Sequence, residues 1–246
     1  MKRLLIALAS LALTASVSNW AAADVPSTDK LQVAKVQESK GDQARARGNN
    51  TEAVYYYRSA VRINTQSSIL YNKLGVAEIQ ANDRSAARKH LNQAMKLDPH
   101  NVPALNNLGV LACLERKYNQ AVRYLKQALA LQETSAAAHL NMAEAWFGLG
   151  EVDRAMTEYA RALELDADIL TNTPGALVTH VSTPEQRARV DFTIAKAYAK
   201  RGNIEGALEY LRRAKDAHYP DLAKVYADQT FAALWEDPRL EKIVKR

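Results

Sequence analysis

The sequence predicts an all-α protein: a right-handed α-solenoid of about five helix-turn-helix repeats that ends in a C-terminal helical cap. The first observation is the stretch 102–135, in which apolar residues recur at the three- and four-residue spacing of a buried helical face. The second is that this stretch recurs with a fixed step of 34 residues, which is typical of stacked helical hairpins. The third is that small residues keep the same step, which leaves room for neighbouring helices to approach closely.

Small and large positions keep the 34-residue step together. One small position holds glycine three times and then alanine, in the order Gly41, Gly75, Gly109 and Ala143. One large position keeps the same register, in the order Tyr57, Leu91, Leu125 and Tyr159. Because many independent positions agree in one register, a chance match is a poor explanation.

The Leu-Gly pair, the two repeated alanines and the repeat end at Asp98-Pro99 resemble the tetratricopeptide repeat (TPR) of exported bacterial proteins. The resemblance covers residues 34–169 and implies repeats one to four. It also implies that the first helix of each repeat lines a concave wall, while the second helices form the outer, convex wall.

The N-terminal residues are predicted to be a targeting segment and not part of the fold. Lys2 and Arg3 precede an apolar run that ends at Leu13, and Ala21–Ala23 provides an A-x-A-like cleavage site. The run is shorter than the roughly 20 apolar residues that a membrane-spanning helix needs. Residues 1–23 are therefore predicted as a cleavable signal peptide and residues 24–33 as a linker, which favours a periplasmic or secreted location. An uncleaved membrane anchor is the alternative; after cleavage, membrane association is not expected.

The period breaks after residue 169. Met142 and Ala143 find their next counterparts at Ile194 and Ala195, so the step grows from 34 to 52 residues and an 18-residue insertion is predicted at 170–187. The insertion either covers one face of the groove or is a spacer. Within it, Thr183 to Gln186 has the pattern of a helix N-terminus. A fifth repeat is predicted at 188–221.

The last segment, residues 222–246, is predicted to be a helical cap over the open end of the solenoid. Its apolar anchors include Phe231, Leu234 and Trp235. Its Asp237-Pro238-Arg239 resembles the end of the short helical tail that closes some bacterial repeat proteins of this kind.

Composition and motifs favour a protein without catalysis. The sequence contains no glycine-rich phosphate loop and no nucleophile or metalloprotease motif, and its five histidines show no metal-ligand spacing. We therefore predict no enzyme activity, no metal and no cofactor. The formal charge of +6 is mild, and basic residues on second helices usually form a solvated face, so a nucleic-acid partner is not expected.

The resemblance places the candidate ligand-binding residues on a second stripe of the first helices, beside the buried one. Asn107 and Asn141 are one period apart, and a side-chain amide can both donate to and accept from a peptide backbone. The pair resembles the asparagine ladder by which some TPR proteins hold an extended peptide. The candidate groove residues are Asn72, Lys73, Val76, Asn106, Asn107, Val110, Leu140, Asn141, Glu144, Phe192 and Lys196.

The sequence thus predicts a non-catalytic protein–protein interaction module. It would bind a peptide or protein segment in its concave groove, in cell-envelope assembly or scaffolding. One alternative is a structural scaffold or homo-oligomer whose groove is filled by its own tail or by another copy. The other alternative is a binder of anionic envelope polymers.

Overall fold

The structure is a computed structural model that describes residues 27–166, 168–169 and 183–244. Within these residues the secondary structure is helical throughout, which confirms the predicted all-α solenoid. The helices pair in chain order: α1 (Thr28–Ala46) with α2 (Asn50–Ile63), α3 (Ser68–Gln80) with α4 (Arg84–Leu97), α5 (Val102–Leu114) with α6 (Tyr118–Leu131), α7 (Ala136–Gly148) with α8 (Val152–Leu165), and α9 (Pro184–Lys200) with α10 (Ile204–Asp216).

Local sequence signals set the ends of these helices. Most helices begin after a polar residue whose side chain accepts a hydrogen bond from an amide of the first turn; Asn101, for example, accepts from the amide of Ala104 at 2.9 Å. The tight turn inside each pair contains one residue with positive φ, between 58° and 79°, and these residues follow the sequence period: Gly48, Asn82, Arg116, Gly150 and Gly202. The fifth pair therefore has the same turn as the other four.

The helices of a pair approach closely because small residues face large ones. Gly109 on α5 lies against Leu125 on α6, and a Cβ added to Gly109 would lie 2.6 Å from Leu125 Cγ. Ala121 and Ala128 are fully buried beside Leu125. The repeated small residues are thus required by interhelical distance, as the sequence period predicts.

The helices α8 and α9 are oriented differently from the earlier neighbouring helices. Arg189 Nη2 lies 2.7 Å from Asp153 Oδ1, and Lys200 Nζ lies 3.1 Å from Glu164 Oε1. Both ion pairs join residues 36 positions apart, so α8 and α9 run parallel. By contrast, α2 and α3 are joined by only residues 64–67 and are antiparallel. Most of the connection between Leu165 and Pro184 lies outside the described residues.

The C-terminal segment caps the fifth pair. It consists of two 3-10 helices, Leu222–Tyr226 and Gln229–Leu234, and of α11 (Pro238–Ile243). Phe231 and Leu234 are fully buried against α9 and α10, whereas Trp235 is half-buried and donates from Nε1 to the Val225 carbonyl at 2.9 Å.

The motif at Asp237 fixes the cap to α10. Asp237 holds Arg239 at 2.8 Å, and Arg239 reaches Glu205 on α10 at 2.7 Å.

Two predicted boundaries are corrected. Residues 28–33, predicted as linker, form the first turns of α1, which has 19 residues because neither proline nor glycine interrupts 28–40. Residues 184–187, predicted as the end of the insertion, begin α9, where Thr183 and Gln186 form the expected capping box. The predicted signal peptide lies outside the described residues. None of the helices that the structure describes has the length and apolar character needed to cross a bilayer.

Candidate functional site

The concave wall is built from the first helices of the first four pairs: α1, α3, α5 and α7. Its central side chains include both polar and apolar residues, and most of them are half-buried. Ile69 and Leu114, at the two edges of the wall, remain 63% and 44% exposed. The wall therefore offers apolar surface beside polar groups, and we call it the concave wall below.

The asparagines of the wall bond to each other across successive repeats. Asn107 Nδ2 on α5 donates to Asn72 Oδ1 on α3 at 2.8 Å. One repeat further, Asn141 Nδ2 on α7 donates to Asn106 Oδ1 on α5 at 2.9 Å. Each bond joins residues 35 positions apart, one period plus one residue. Four asparagines thus form two pairs, which we call the amide pairs.

An ionic rung takes the same place between α1 and α3. Lys73 Nζ lies 2.7 Å from Glu38 and 2.8 Å from Asp42, and the Tyr57 hydroxyl donates to Asp42 at 2.6 Å. Burial works to raise the pKa of Asp42, but the hydrogen bonds from Lys73 and Tyr57 outweigh it and lower that pKa below its ordinary value of 3.8. Burial likewise opposes the charge on Lys73, while its bonds to Asp42 and Glu38 raise its pKa. The charge of Lys73 is neutralised within the protein, so Lys73 is not a free cation for a ligand.

Each amide pair keeps hydrogen-bonding capacity after the internal bond is made. A side-chain amide has two donor hydrogens and two acceptor lone pairs. The bond between Asn107 and Asn72 uses one donor hydrogen and one lone pair, which leaves the Asn107 oxygen and the Asn72 amino group. The second pair leaves the Asn141 oxygen and the Asn106 amino group in the same arrangement. Each pair therefore keeps one oxygen and one amino group that the internal bond does not use, besides the second hydrogen of the donor and the second lone pair of the acceptor.

Three of the predicted groove residues lie one turn further along the wall. Val76, Val110 and Glu144 occupy equivalent positions on α3, α5 and α7 and are half-buried. The negative charge of Glu144 reaches Cys113 on α5: burial first, and then this charge, raise the pKa of the Cys113 thiol to about 12. Cys113 is therefore an inert packed thiol at neutral pH.

Leu140 is a correction. It is only 2% exposed and packs in the core with Ala143, Phe147 and Tyr159. The fourth repeat places a leucine where the second and third have Asn72 and Asn106, and the apolar side chain turns into the core. The ladder of amide pairs consequently ends at Asn141.

The residues predicted for the groove in the fifth repeat are also corrected. The Phe192 ring stacks on Tyr219 at 4.7 Å and lies 5.5 Å from Phe231, and Lys196 Nζ binds Asp228 at 2.6 Å. Because α9 is parallel to α8, its second stripe faces α8 and the tail and does not continue the concave wall. Between these elements lies a cleft of about 1160 Å³.

Sequence reasoning missed the acidic partners of Lys73 and the pairing of the four asparagines. A signal was available: residues that can hydrogen-bond to each other recur at 35 positions, as in Glu38 with Lys73 and Asn72 with Asn107. A search limited to the 34-residue period compares Asn107 with Asn141, which do not bond to each other in the structure.

Two of the basic residues on the outer wall are already engaged. Arg84 donates to the Leu114 carbonyl at 2.7 Å, and Arg88 lies 2.5 Å from Glu115. Within the described part of the chain, no group of three or more histidine, cysteine or acidic residues could hold a metal ion.

The repeats are similar to a known protein family and to individual known proteins. Two family models, both described as "Tetratricopeptide repeat", match residues 69–101 and 112–170. Photosystem I assembly protein Ycf3 of Rippkaea orientalis is 30% identical over 125 residues, which cover 44% of this chain and 72% of Ycf3. BBSome complex member BBS4 of Xenopus tropicalis is 30% identical over 121 residues, 49% of this chain but only 23% of its own length.

Solved structures share the fold at low sequence identity. A thermophilic TPR protein of Thermus thermophilus has a TM-score of 0.54 at 20% identity and covers 79% of this chain and 97% of its own. MamA of Desulfovibrio magneticus RS-1 has a TM-score of 0.52 at 17% identity and covers 77% of this chain and 95% of its own.

Proposed function

Because the chain belongs to the tetratricopeptide repeat family, whose members are in general non-catalytic protein–protein interaction modules, we propose that its concave wall binds an extended peptide segment of a partner protein. The amide pairs Asn72–Asn107 and Asn106–Asn141 bind the peptide backbone. The apolar residues beside them contact the peptide's side chains.

The amide pairs are the observation that carries this proposal. An extended peptide exposes one N–H and one C=O per residue, and each pair keeps one acceptor and one donor. The internal bond fixes the orientation of both amides before binding, which lowers the entropy lost when the peptide binds. Backbone bonding gives affinity with little sequence preference.

Selectivity comes from the apolar residues of the same wall. Val76 and Val110 are half-buried beside the pairs, and Ile69 and Leu114 are exposed at the edges. A peptide with apolar side chains at alternate positions would remove this surface from water while its backbone contacts the amides.

The contacts of the tail support a concave wall that is open to a partner. It contacts Phe192 and Lys196 on α9, whereas the amide pairs lie on α3, α5 and α7. The alternative of a groove filled by the protein's own tail therefore fits the fifth pair alone. Occupation of the concave wall by a second copy of the chain remains the competing proposal.

We place this activity in the cell envelope. Lys2, Arg3 and the Ala21–Ala23 site support export with cleavage near Asp24, and a periplasmic or secreted location follows. Ycf3 is named as an assembly protein and BBS4 as a member of a complex, which supports a role in assembly or scaffolding. Intact-mass measurement of the exported protein should give a mature N-terminus at or near Asp24; retention of Met1 would contradict this part.

The binding proposal can be tested with a peptide selected from a random displayed library against the mature protein. We expect the double variant N107A/N141A to bind it about tenfold more weakly or worse, because each neutral hydrogen bond contributes about 0.5–1.5 kcal/mol. The control variant R123Q/K126Q removes two exposed cations from the outer wall and should bind as the wild type does. Fluorescence polarisation at low and high salt measures both.

Loss of binding only in R123Q/K126Q, with steep salt dependence, would replace the groove by polyanion binding on the outer wall. Untagged protein can also be mixed with the complex. If it competes with the peptide at micromolar concentration, this would instead favour occupation of the concave wall by a second copy.

A further inference from the structure

A second concave feature lies on the outer wall, at the junction of the first two helix pairs. It is a cleft of about 630 Å³ between α2 and α4, with α3 as its floor. We call it the outer cleft, and its polar lining residues are Arg58, Arg62, Tyr71, Lys89, His90, Gln93 and Lys96. Its size is that of a small-molecule site.

The outer cleft is strongly cationic. Four permanently charged side chains line it, and no carboxylate is among its lining residues. Within the described residues, Arg62, Lys89 and Lys96 make no ion pair, and Arg58 shares the single acidic group below the cleft, Glu78. Four positive charges against one negative charge leave a net charge of three with histidine neutral. A compact ligand with at least two negative charges would complement it.

The floor of the outer cleft is ordered by a buried carboxylate. Glu78 is 1% exposed, and its two oxygens contact Arg58 Nη2 at 3.1 Å and His90 Nδ1 at 2.7 Å. The His90 ring stacks on Tyr71 with centroids 6.0 Å apart. Glu78 therefore fixes the positions of a guanidinium and an imidazole that both line the cleft.

The repeats themselves show that the fold does not need this network. The next two repeats place Ala112 and Trp146 at the position of Glu78. They place Tyr124 and Glu158 at the position of His90. Burying a carboxylate costs free energy unless it is paired, and replacing a buried ion pair by apolar residues of similar volume is often neutral or stabilising. Among the five repeats, only the second has a glutamate and a histidine at these two positions.

We propose that the outer cleft is a binding site for a compact, multiply charged phosphate group, distinct from the peptide groove and independent of it. Arginine guanidinium groups match phosphate oxygens with paired donors, and the lysines at the rim add point charges. The phosphate group could belong to a free polyphosphate or to an anionic lipid headgroup.

Isothermal titration of the full mature protein with inorganic pyrophosphate tests the proposal. We expect one site per chain, weakened at least tenfold in the triple variant R62Q/K89Q/K96Q, because three charge-assisted contacts are removed. The control R123Q/K126Q/R212Q removes the same charge from other second helices, and Arg123 and Lys126 occupy the positions of Lys89 and Arg58 in later repeats. The control should stay within twofold of the wild type.

Vesicles of phosphatidylglycerol, compared with neutral phosphatidylcholine vesicles, distinguish the source of the phosphate group. Vesicle binding that the triple variant loses, without pyrophosphate binding, would support the site with a lipid headgroup as its ligand. Equal weakening of the triple variant and the control would show attraction by net charge alone and would overturn the proposal. Absence of binding to both probes would overturn it as well.

Glu78→Ala separates a positioning role from a structural one, since the next repeat has Ala112 at this position. We expect a folded variant with pyrophosphate affinity several-fold lower, because Arg58 and His90 lose their anchor. If Glu78 acted only through its negative charge, its removal would raise the affinity for pyrophosphate. Unchanged or higher affinity in E78A would contradict the positioning role.

Discussion

In the first four helix pairs, polar side chains join successive first helices along the concave wall; in the fifth pair, the equivalent side chains contact α8 and the tail. Lys73, Asn107 and Asn141 each bond to the preceding repeat. Within the part of the chain that the structure describes, their counterpart Thr193 bonds to its own helix, at the Arg189 carbonyl. Residues at the same position of the repeat thus lie on the concave wall in the first four pairs and against α8 and the tail in the fifth.

The length of one connection explains the difference. Short connections such as residues 64–67 force the next helix to run back along the previous one, which repeats the wall. The longer connection before Pro184 allows α9 to run parallel to α8, and its second stripe then turns away from the wall. A residue's position in the period predicts what it packs against only while the connections stay short.

The largest expected effect comes from removing the tail, residues 219–246. Phe231, Leu234 and Leu240 are fully buried, and each such side chain contributes about 1.5–3 kcal/mol. We expect a lower melting temperature and self-association through the exposed faces of α9 and α10, measured by calorimetry and sedimentation. Phe231→Ala alone should cost about 3–5 kcal/mol, whereas Leu131→Ala, at a site 45% exposed in the regular stack, should change little. A truncated chain that stays monomeric and equally stable would show that the tail is not a cap.

A smaller effect is expected from Gly109→Ala in the regular stack. The added Cβ would lie 2.6 Å from Leu125 Cγ, and overpacking of this kind costs about 1–3 kcal/mol, against a gain of about 1 kcal/mol in helix propensity. The fourth pair has Ala143 at the same position, so Ala143→Gly is the matched control and should lose only about 1 kcal/mol of helix propensity. Urea unfolding measures both. A G109A variant more stable than the wild type by the full gain in helix propensity, about 1 kcal/mol, would contradict the close approach of α5 and α6.

The internal bond of an amide pair should be measurable by a double-mutant cycle of N72A and N107A. We expect a coupling free energy of about 0.5–1.5 kcal/mol in unfolding, because the two side chains bond at 2.8 Å. The sequence alone predicts almost no effect on folding, since neither asparagine lies on the buried stripe. As a control, a cycle of N92A and N107A should show no coupling, because Asn92 is exposed on the outer wall.

The smallest effect is a pH dependence at the N-terminal end. The pKa of Asp42 is lowered in the folded state, so its contribution to stability is present above its ordinary value of 3.8 and is lost as the pH falls through the lower folded value. Asp42→Asn should therefore flatten the loss of stability in acid. We would measure melting temperatures from pH 6 to pH 2; an unchanged acid profile in D42N would contradict the lowered pKa.

The sequence predicts the helix pairs well because their packing repeats. The 34-residue step of Gly109 and Leu125 reflects a contact within one pair, so a local pattern suffices. Thr183 and Gln186 form their capping box within a single turn for the same reason. The burial of Phe231 and Leu234 follows from their apolar character once an open solenoid end needs cover.

The site is predicted less well because it depends on relations between repeats. Asn107 bonds to Asn72 across 35 positions, which a search for equal positions does not compare. The direction of α9 depends on the long connection before it. The match of Ile194 and Ala195 to Met142 and Ala143 gives only the length of that connection. The sequence therefore predicts Phe192 and Lys196 on the concave wall, although they contact the tail.

Peptide binding by the amide pairs is tested most directly by following the side-chain amide NMR signals of the mature protein during titration with the display-selected peptide. If the amide pairs bind the peptide, we expect saturable shifts, with one affinity, in the side-chain amides of Asn72, Asn106, Asn107 and Asn141, while Asn92 and Asn203 outside the wall stay unchanged. Shifts confined to residues around Phe192 or the outer cleft, with the four wall amides unmoved, would contradict it.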